Sequence, residues 1–121
     1  MRGIVLFAHG ARDPQWAQPF AAIRERVRAA RPEYPIEIAF LESMQPTLEE
    51  AIASVIGEGA LAVTVFPLFM AQGGHLKQDL PRILDAIRAT HPHIPIALEP
   101  PIGEVPEILQ AIAGWILARA D

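Results

Sequence analysis

Cysteine is absent from this 121-residue chain. That excludes a disulfide framework and any thiolate metal centre, so a metal here would be held by imidazole, carboxylate, water or the substrate itself. Charge is sparse: 20% of residues are Asp, Glu, Lys or Arg, the net charge is -4 and the basic residues are scattered, which argues against a nucleic-acid surface. No segment approaches the ~20 apolar residues needed to span a bilayer. The run Gly3 to Ala8 is too short for a signal-peptide core and lacks a cleavage-like end, so the cytoplasm is the expected location. A Gly-x-Gly-x-x-Gly fingerprint after the first strand is missing, as is a Walker loop, which weakens any nucleotide reading. The only serines, Ser43 and Ser54, lack a nucleophile-elbow context.

What is present is apolar and orderly. Hydrophobic residues make up 51% of the chain and the mean hydropathy is +0.24, which excludes a disordered protein. A chain of this length is expected to form one domain, residues 1–121, burying roughly two thirds of its unfolded surface. An apolar excess in so small a domain also marks a subunit interface.

Apolar runs alternate with helical periodicity. Gly3 to Ala8 reads as a buried strand, and Asp13-Pro14 opens a helix to about Ala30, with Asp as N-cap and Pro at the first helical position. Ile36 to Leu41 is a second strand, and Thr47-Leu-Glu-Glu50 has the spacing of a capping box. Ala60 to Phe66 is a third strand, Lys77 to Thr90 a helix, Ile96 to Leu98 a short fourth strand and Val105 to Arg119 a last helix. The order βαβαβαβα predicts an α/β fold of three layers: a four-stranded, mostly parallel sheet with helices on both faces, a flavodoxin-like half.

Such a sheet binds ligands at the carboxyl ends of its strands. His9 and His75 each follow a predicted strand and so fall on that edge. The loops there are His9-Gly-Ala-Arg-Asp13, Glu42-Ser-Met-Gln-Pro46, and Pro67 to Lys77, the last longer than an ordinary strand-to-helix loop. Gly10 permits a tight turn, and Gly73 and Gly74 beside His75 suit a sharp bend or the close approach of a bulky ligand. Two imidazoles and a carboxylate suit cobalt, nickel, zinc or iron, and imidazole also exchanges protons near neutral pH. Equally, a histidine at a strand end serves as a hydrogen-bonded packing residue, Asp13 and Asp79 read as helix caps, and Phe69, Met70, Trp16 and Phe20 as core or interface. His91 and His93 lie in a proline-rich helix-to-strand turn on the opposite, amino edge. Turn chemistry explains that segment without a metal.

Three segments, in order, carry a family resemblance: Phe7-Ala-His-Gly-Ala-Arg-Asp-Pro14, then Phe40-Leu-Glu42 with Pro46-Thr-Leu48, then Val65 to Pro81 around Gln72-Gly-Gly-His-Leu-Lys77. Residues 3 to about 115 resemble the small, single-domain sirohydrochlorin cobaltochelatases of the CbiX type, within the class II chelatases. Ala11 stands where Ser or Thr is common and Leu76 where Val is common. The resemblance implies insertion of Co2+ into sirohydrochlorin, or a close tetrapyrrole, on the route to cobalamin. It puts the metal-site histidines on His9 and His75 and an acidic partner on Glu42. Arg12 and Lys77 become candidates for the substrate's carboxylates, and Leu68, Phe69, Met70, Gly73 and Gly74 for contact with the ring. It further implies a homodimer with the macrocycle in a shared cleft, and no cofactor beyond the substrate metal. Nickel or iron share the ligand set. A metal-binding paralogue without turnover and a histidine phosphocarrier, with His9 phosphorylated, are the competing readings.

Overall fold

The computed structural model describes residues 1–120. Strands β1 (Arg2–Ala8), β2 (Ile36–Phe40), β3 (Ala62–Pro67) and β4 (Ile96–Leu98) form one sheet in the order β2-β1-β3-β4. All three pairings are parallel, with Ile4 opposite both Ile36 and Thr64 and Val63 opposite Ile96. β1 is apolar at nearly every position because a central parallel strand is covered on both faces.

Alternation along the strands sorts their side chains into two cores. Val5, Phe7, Val63 and Val65 point to one face, where they meet Ile52 and Val55 of helix α2 (Leu48–Gly57) and Leu80 and Leu84 of helix α3 (Gly74–Thr90). Leu6, Ala8, Ile36, Ile38 and Phe40 point to the other, against Phe20 and Val27 of helix α1 (Gln18–Ala30) and Trp16. The capping box at Thr47 is formed: its hydroxyl accepts from the Glu50 N–H at 3.2 Å and the Glu50 carboxylate accepts from the Thr47 N–H at 2.9 Å.

The layers are unequal. α1 covers the β1 and β2 half of its face, while helix α4 (Pro106–Ala120) leaves the sheet behind a 3-10 turn at Ile102–Glu104 and has no buried residue. The face of β3 on that side is only partly covered: Thr64 is buried, Phe66 and Leu68 are half-buried, and an apolar groove of roughly 410 Å³ runs past them, lined also by Leu6 and Val27.

Some boundaries differ from expectation. The first helix is split into a 3-10 turn, Pro14–Ala17, and α1, because Asp13 caps the Gln15 N–H and Pro19 falls in the first turn of a second, separate start. β3 starts two residues later and ends one residue later than its apolar pattern suggests. α3 begins at Gly74 rather than Lys77, so the third loop shrinks to Leu68–Gly73 and is of ordinary length. Glycine's low helix propensity hid that first turn. Asp79, expected as a cap, lies inside α3.

Candidate metal-handling site at the carboxyl edge

β1 and β3 are neighbours, yet the chain leaves β1 toward β2 on one side and returns to β3 on the other. The gap between them is the topological switch point, where crevices open in sheets of this kind. His9 is the first residue beyond β1 and is exposed there.

Its backbone is locked to the next loop. The Leu41 N–H donates to the Ala8 carbonyl at 2.9 Å and the Glu42 N–H to the His9 carbonyl at 3.0 Å, which carries the β1–β2 ladder past the strand ends. Gly10 sits at φ +93°, and a Cβ there would lie 1.9 Å from the Glu42 carbonyl oxygen. Only glycine lets the two loops close this far. Ser43, at φ 66°, and the Met44 N–H donating to the Glu42 carbonyl at 2.8 Å turn the chain back at Glu42 and leave its side chain exposed. A depression of roughly 490 Å³ lies alongside, lined by Leu41, Glu42, Ser43 and Gln45.

On the other side of the switch point the Leu68 N–H donates to the Phe7 carbonyl at 2.8 Å, bringing the third loop against β1. Phe69, expected against the substrate, is instead buried at 3% exposure: it packs edge-on to Phe7 at 5.4 Å and against the His9 ring at 4.6 Å. An apolar ring following a buried strand is drawn into the core before it can face solvent. Met70, by contrast, is exposed.

His75 lies in the first turn of α3, exposed, beside the unpaired N–H groups that make a helix start attractive to anions. Gly73 and Gly74 do not have the strained backbone expected of them. Neither has a positive φ, and nothing lies within 4 Å of a Cβ built on either, so both offer open space and not a sharp bend. Arg12 and Lys77 are exposed, and among the described residues neither pairs with a carboxylate.

Among the described residues, no three His, Asp or Glu side chains gather into a group able to hold a metal. His9, Glu42 and His75 share an edge of the sheet without closing on one point. An open, incomplete donor set suits a metal in transit more than a resident one, since stable centres close their coordination with protein ligands. His91 and His93 line a surface hollow with Arg88 and Pro95 at the amino edge, away from these residues. The turn made at Ser43 escaped the sequence reading, because Ser43 belongs to no turn signature that would have flagged it.

A parallel α/β domain presenting two exposed histidines and a carboxylate along the carboxyl edge of its sheet defines a class: an α/β protein with an open candidate site at its strand ends. The chain belongs to the CbiX family, whose sequence pattern matches residues 3–116. It is similar to the sirohydrochlorin cobaltochelatase of Methanococcus aeolicus, 34% identical over 72% of this chain and 61% of that protein. It is also similar to that of Methanocaldococcus jannaschii, 36% identical over 75% of this chain and 64% of the relative. The matched segments thus span less than two thirds of these relatives. Among solved structures, a CbiX protein from Marinobacter aquaeolei VT8 matches 98% of this chain and 96% of its own, with a TM-score of 0.82 and 31% identity. The sirohydrochlorin chelatase SirB of Bacillus subtilis subspecies spizizenii, in complex with cobalt, matches at a TM-score of 0.79 and 29% identity, over 98% of this chain but 51% of SirB.

Proposed function

We propose that the chain is a sirohydrochlorin cobaltochelatase, with His9, His75 and Glu42 as its working residues. The observation that supports this is two exposed imidazoles and an exposed carboxylate, side chains of metal-ligating type, along the carboxyl edge of a CbiX-family fold. In the reaction Co2+ sheds water, the macrocycle releases two pyrrole N–H protons, and two protons leave for each metal inserted. Neutral imidazole can hold the metal or accept a proton, though not with one nitrogen at once, so two histidines divide the work. Glu42 carries protons away or steadies the metal as it passes. The carboxylates of sirohydrochlorin find Arg12, Lys77 and the first N–H groups of α3. Met70, Gly73 and Gly74 form an open surface beside His75 on which a large ring can rest.

Co2+ is the expected substrate metal, in keeping with the names of the relatives and the cobalt bound to SirB. A Bacillus subtilis SirB structure with Fe3+ keeps iron within the comparison. The test follows the absorbance change of purified protein with sirohydrochlorin and Co2+, Ni2+ or Fe2+ in turn. Acceleration over the spontaneous rate, fastest with Co2+ and lost in His9→Ala and in His75→Ala, is expected. No acceleration with any metal refutes the reading, and phosphohistidine at His9 would replace it with the phosphocarrier.

Residues 1–121 act in this reading as one chelatase domain paired with a second copy. α4 is apolar nearly all round, with Trp115, Ile116 and Leu117 exposed at 61%, 52% and 66%. A helix of that kind belongs in a core. The apolar groove on β3 is the complementary surface, and its wall includes Val105 and Ile108 at the root of α4. In the dimer each α4 would lie in the other copy's groove. Among the described residues Glu99 is the single charged residue lining the groove, and α4 carries one cation, Arg119, and one carboxylate, Glu107, so Arg119 is the side chain of α4 that can pair with Glu99. Sedimentation should give a dimer for the wild type, monomers for Glu99→Arg and for Arg119→Glu, and a dimer again for the double exchange. A wild-type monomer at micromolar concentration refutes this assembly.

A further inference from the structure

Metal-binding histidines ordinarily gain their orientation from a hydrogen bond at the second ring nitrogen, to a carboxylate or carbonyl that also strengthens the ligand. Among the described residues, no hydrogen bond reaches the His9 imidazole. Its defined neighbour is the ring of Phe69, with centroids 4.6 Å apart and planes inclined at 49°.

Phe69 is itself over-determined. Its ring lies between Phe7, in the floor of the core, and His9 at the surface. Its carbonyl accepts the Gly103 N–H at 3.1 Å, and the preceding Leu68 N–H is bound to Phe7. Gly103 approaches so closely that a Cβ on it would lie 1.5 Å from the Met70 carbonyl oxygen. The loop after β3 is thus clamped between the end of β1 and the 3-10 turn that precedes α4.

We propose that Phe69, clamped by Gly103, is the positioning residue for His9, fixing the imidazole plane by ring contact in place of a hydrogen bond. The consequence for chelation rests on the reading of His9 as a metal-presenting residue. A histidine steadied by an apolar ring keeps its geometry through packing, so the imidazole is presented at a fixed angle to an incoming metal. Aromatic pairs at this separation carry a directional preference of their own, so the contact sets an angle as well as filling space.

The chain has four histidines and no cysteine, which makes imidazole proton NMR on the full-length protein tractable. The His9 ring protons, assigned by His9→Gln, are expected displaced by the Phe69 ring current from those of exposed His75 and His93. Phe69→Leu, which keeps most of the apolar volume, should return them to the exposed range and leave His75 unmoved. It should also weaken Co2+ binding, measured calorimetrically with the metal alone, about tenfold, and change the visible band of bound Co2+. Gly103→Ala should move the His9 signals with Phe69 still in place. His9 signals at the exposed position in the wild type overturn the proposal outright, even should the variants fail to fold. Unchanged His9 signals and Co2+ affinity in folded Phe69→Leu overturn it equally. A wild type that shows the ring-current shift but binds no Co2+ keeps the positioning contact and refutes the chelatase reading instead.

Discussion

Replacing Gly10 with alanine separates two glycines that look alike in the sequence. At φ +93° an alanine is strained, at a cost of about 1–3 kcal/mol for a residue held in a sparsely populated backbone region. Its Cβ would also meet the Glu42 carbonyl oxygen at 1.9 Å, so the Glu42 turn must retreat. Retreat breaks the hydrogen bonds from Leu41 to Ala8 and from Glu42 to His9, each worth about 0.5–1.5 kcal/mol net. The sum is about 2–6 kcal/mol, a large part of the ~5–15 kcal/mol typical of a domain. With an unfolding entropy of about 2.1 cal/mol/K per residue, this chain's melting entropy is about 0.25 kcal/mol/K, so Tm should fall by about 8–24 °C. Differential scanning calorimetry supplies the assay, with Gly73→Ala as the control. Nothing surrounds Gly73 and its φ is ordinary, so its variant should melt within ~2 °C of the wild type. A Gly10→Ala protein that melts within the same margin would show that the His9 and Glu42 loops do not depend on this contact.

Glu42→Gln should leave the melting temperature unchanged, since the backbone of Glu42 makes the loop's hydrogen bonds, while lowering the rate of Co2+ insertion by about tenfold or more. A stopped assay of metallated product decides it. Thr47→Ala removes the hydroxyl of the capping box and should cost about 1 kcal/mol. In a melt that is about 4 °C, with chelatase activity per folded molecule untouched. The double variant His91→Ala with His93→Ala should retain full Co2+ affinity and insertion rate by calorimetry and absorbance. Loss of either would bring the amino edge into the mechanism.

The alternation of strands and helices was legible because its signals are local. The apolar run of β1, the Thr47-to-Glu50 capping box and the period of Leu80, Leu84 and Ile87 each declare an element within a few residues. The carboxyl-edge placement of His9 and His75 followed from strand direction alone. What was hidden depends on partners distant in the chain. Gly10 and Gly73 each lie within two residues of a histidine, and what sets them apart is the positive φ of Gly10 and the Glu42 turn packed on it. Phe69 reads as core or interface from its residue type and as a ring contact from the family resemblance, and it is the packing of Phe7 and Gly103 around it that makes it core. The start of α3 was misjudged because two weak helix formers open it, and tertiary packing of Leu76 and Leu80 outweighed their propensity.

The first strand of the chain is an inner strand of the sheet. During synthesis β1 can pair with β2 once residue 40 has emerged, but its other edge belongs to β3, whose last residue is Pro67. Until then Gly3 to Ala8, an apolar strand without a charge, offers a row of unpaired backbone groups to any neighbouring chain. Non-local pairing of this kind slows folding, because a long loop must close before the contact repays it. The interval between the emergence of β1 and of β3 is therefore when this protein is most exposed to aggregation. A slow stretch of translation between residues 40 and 67 would cost yield without altering a single contact of the finished fold.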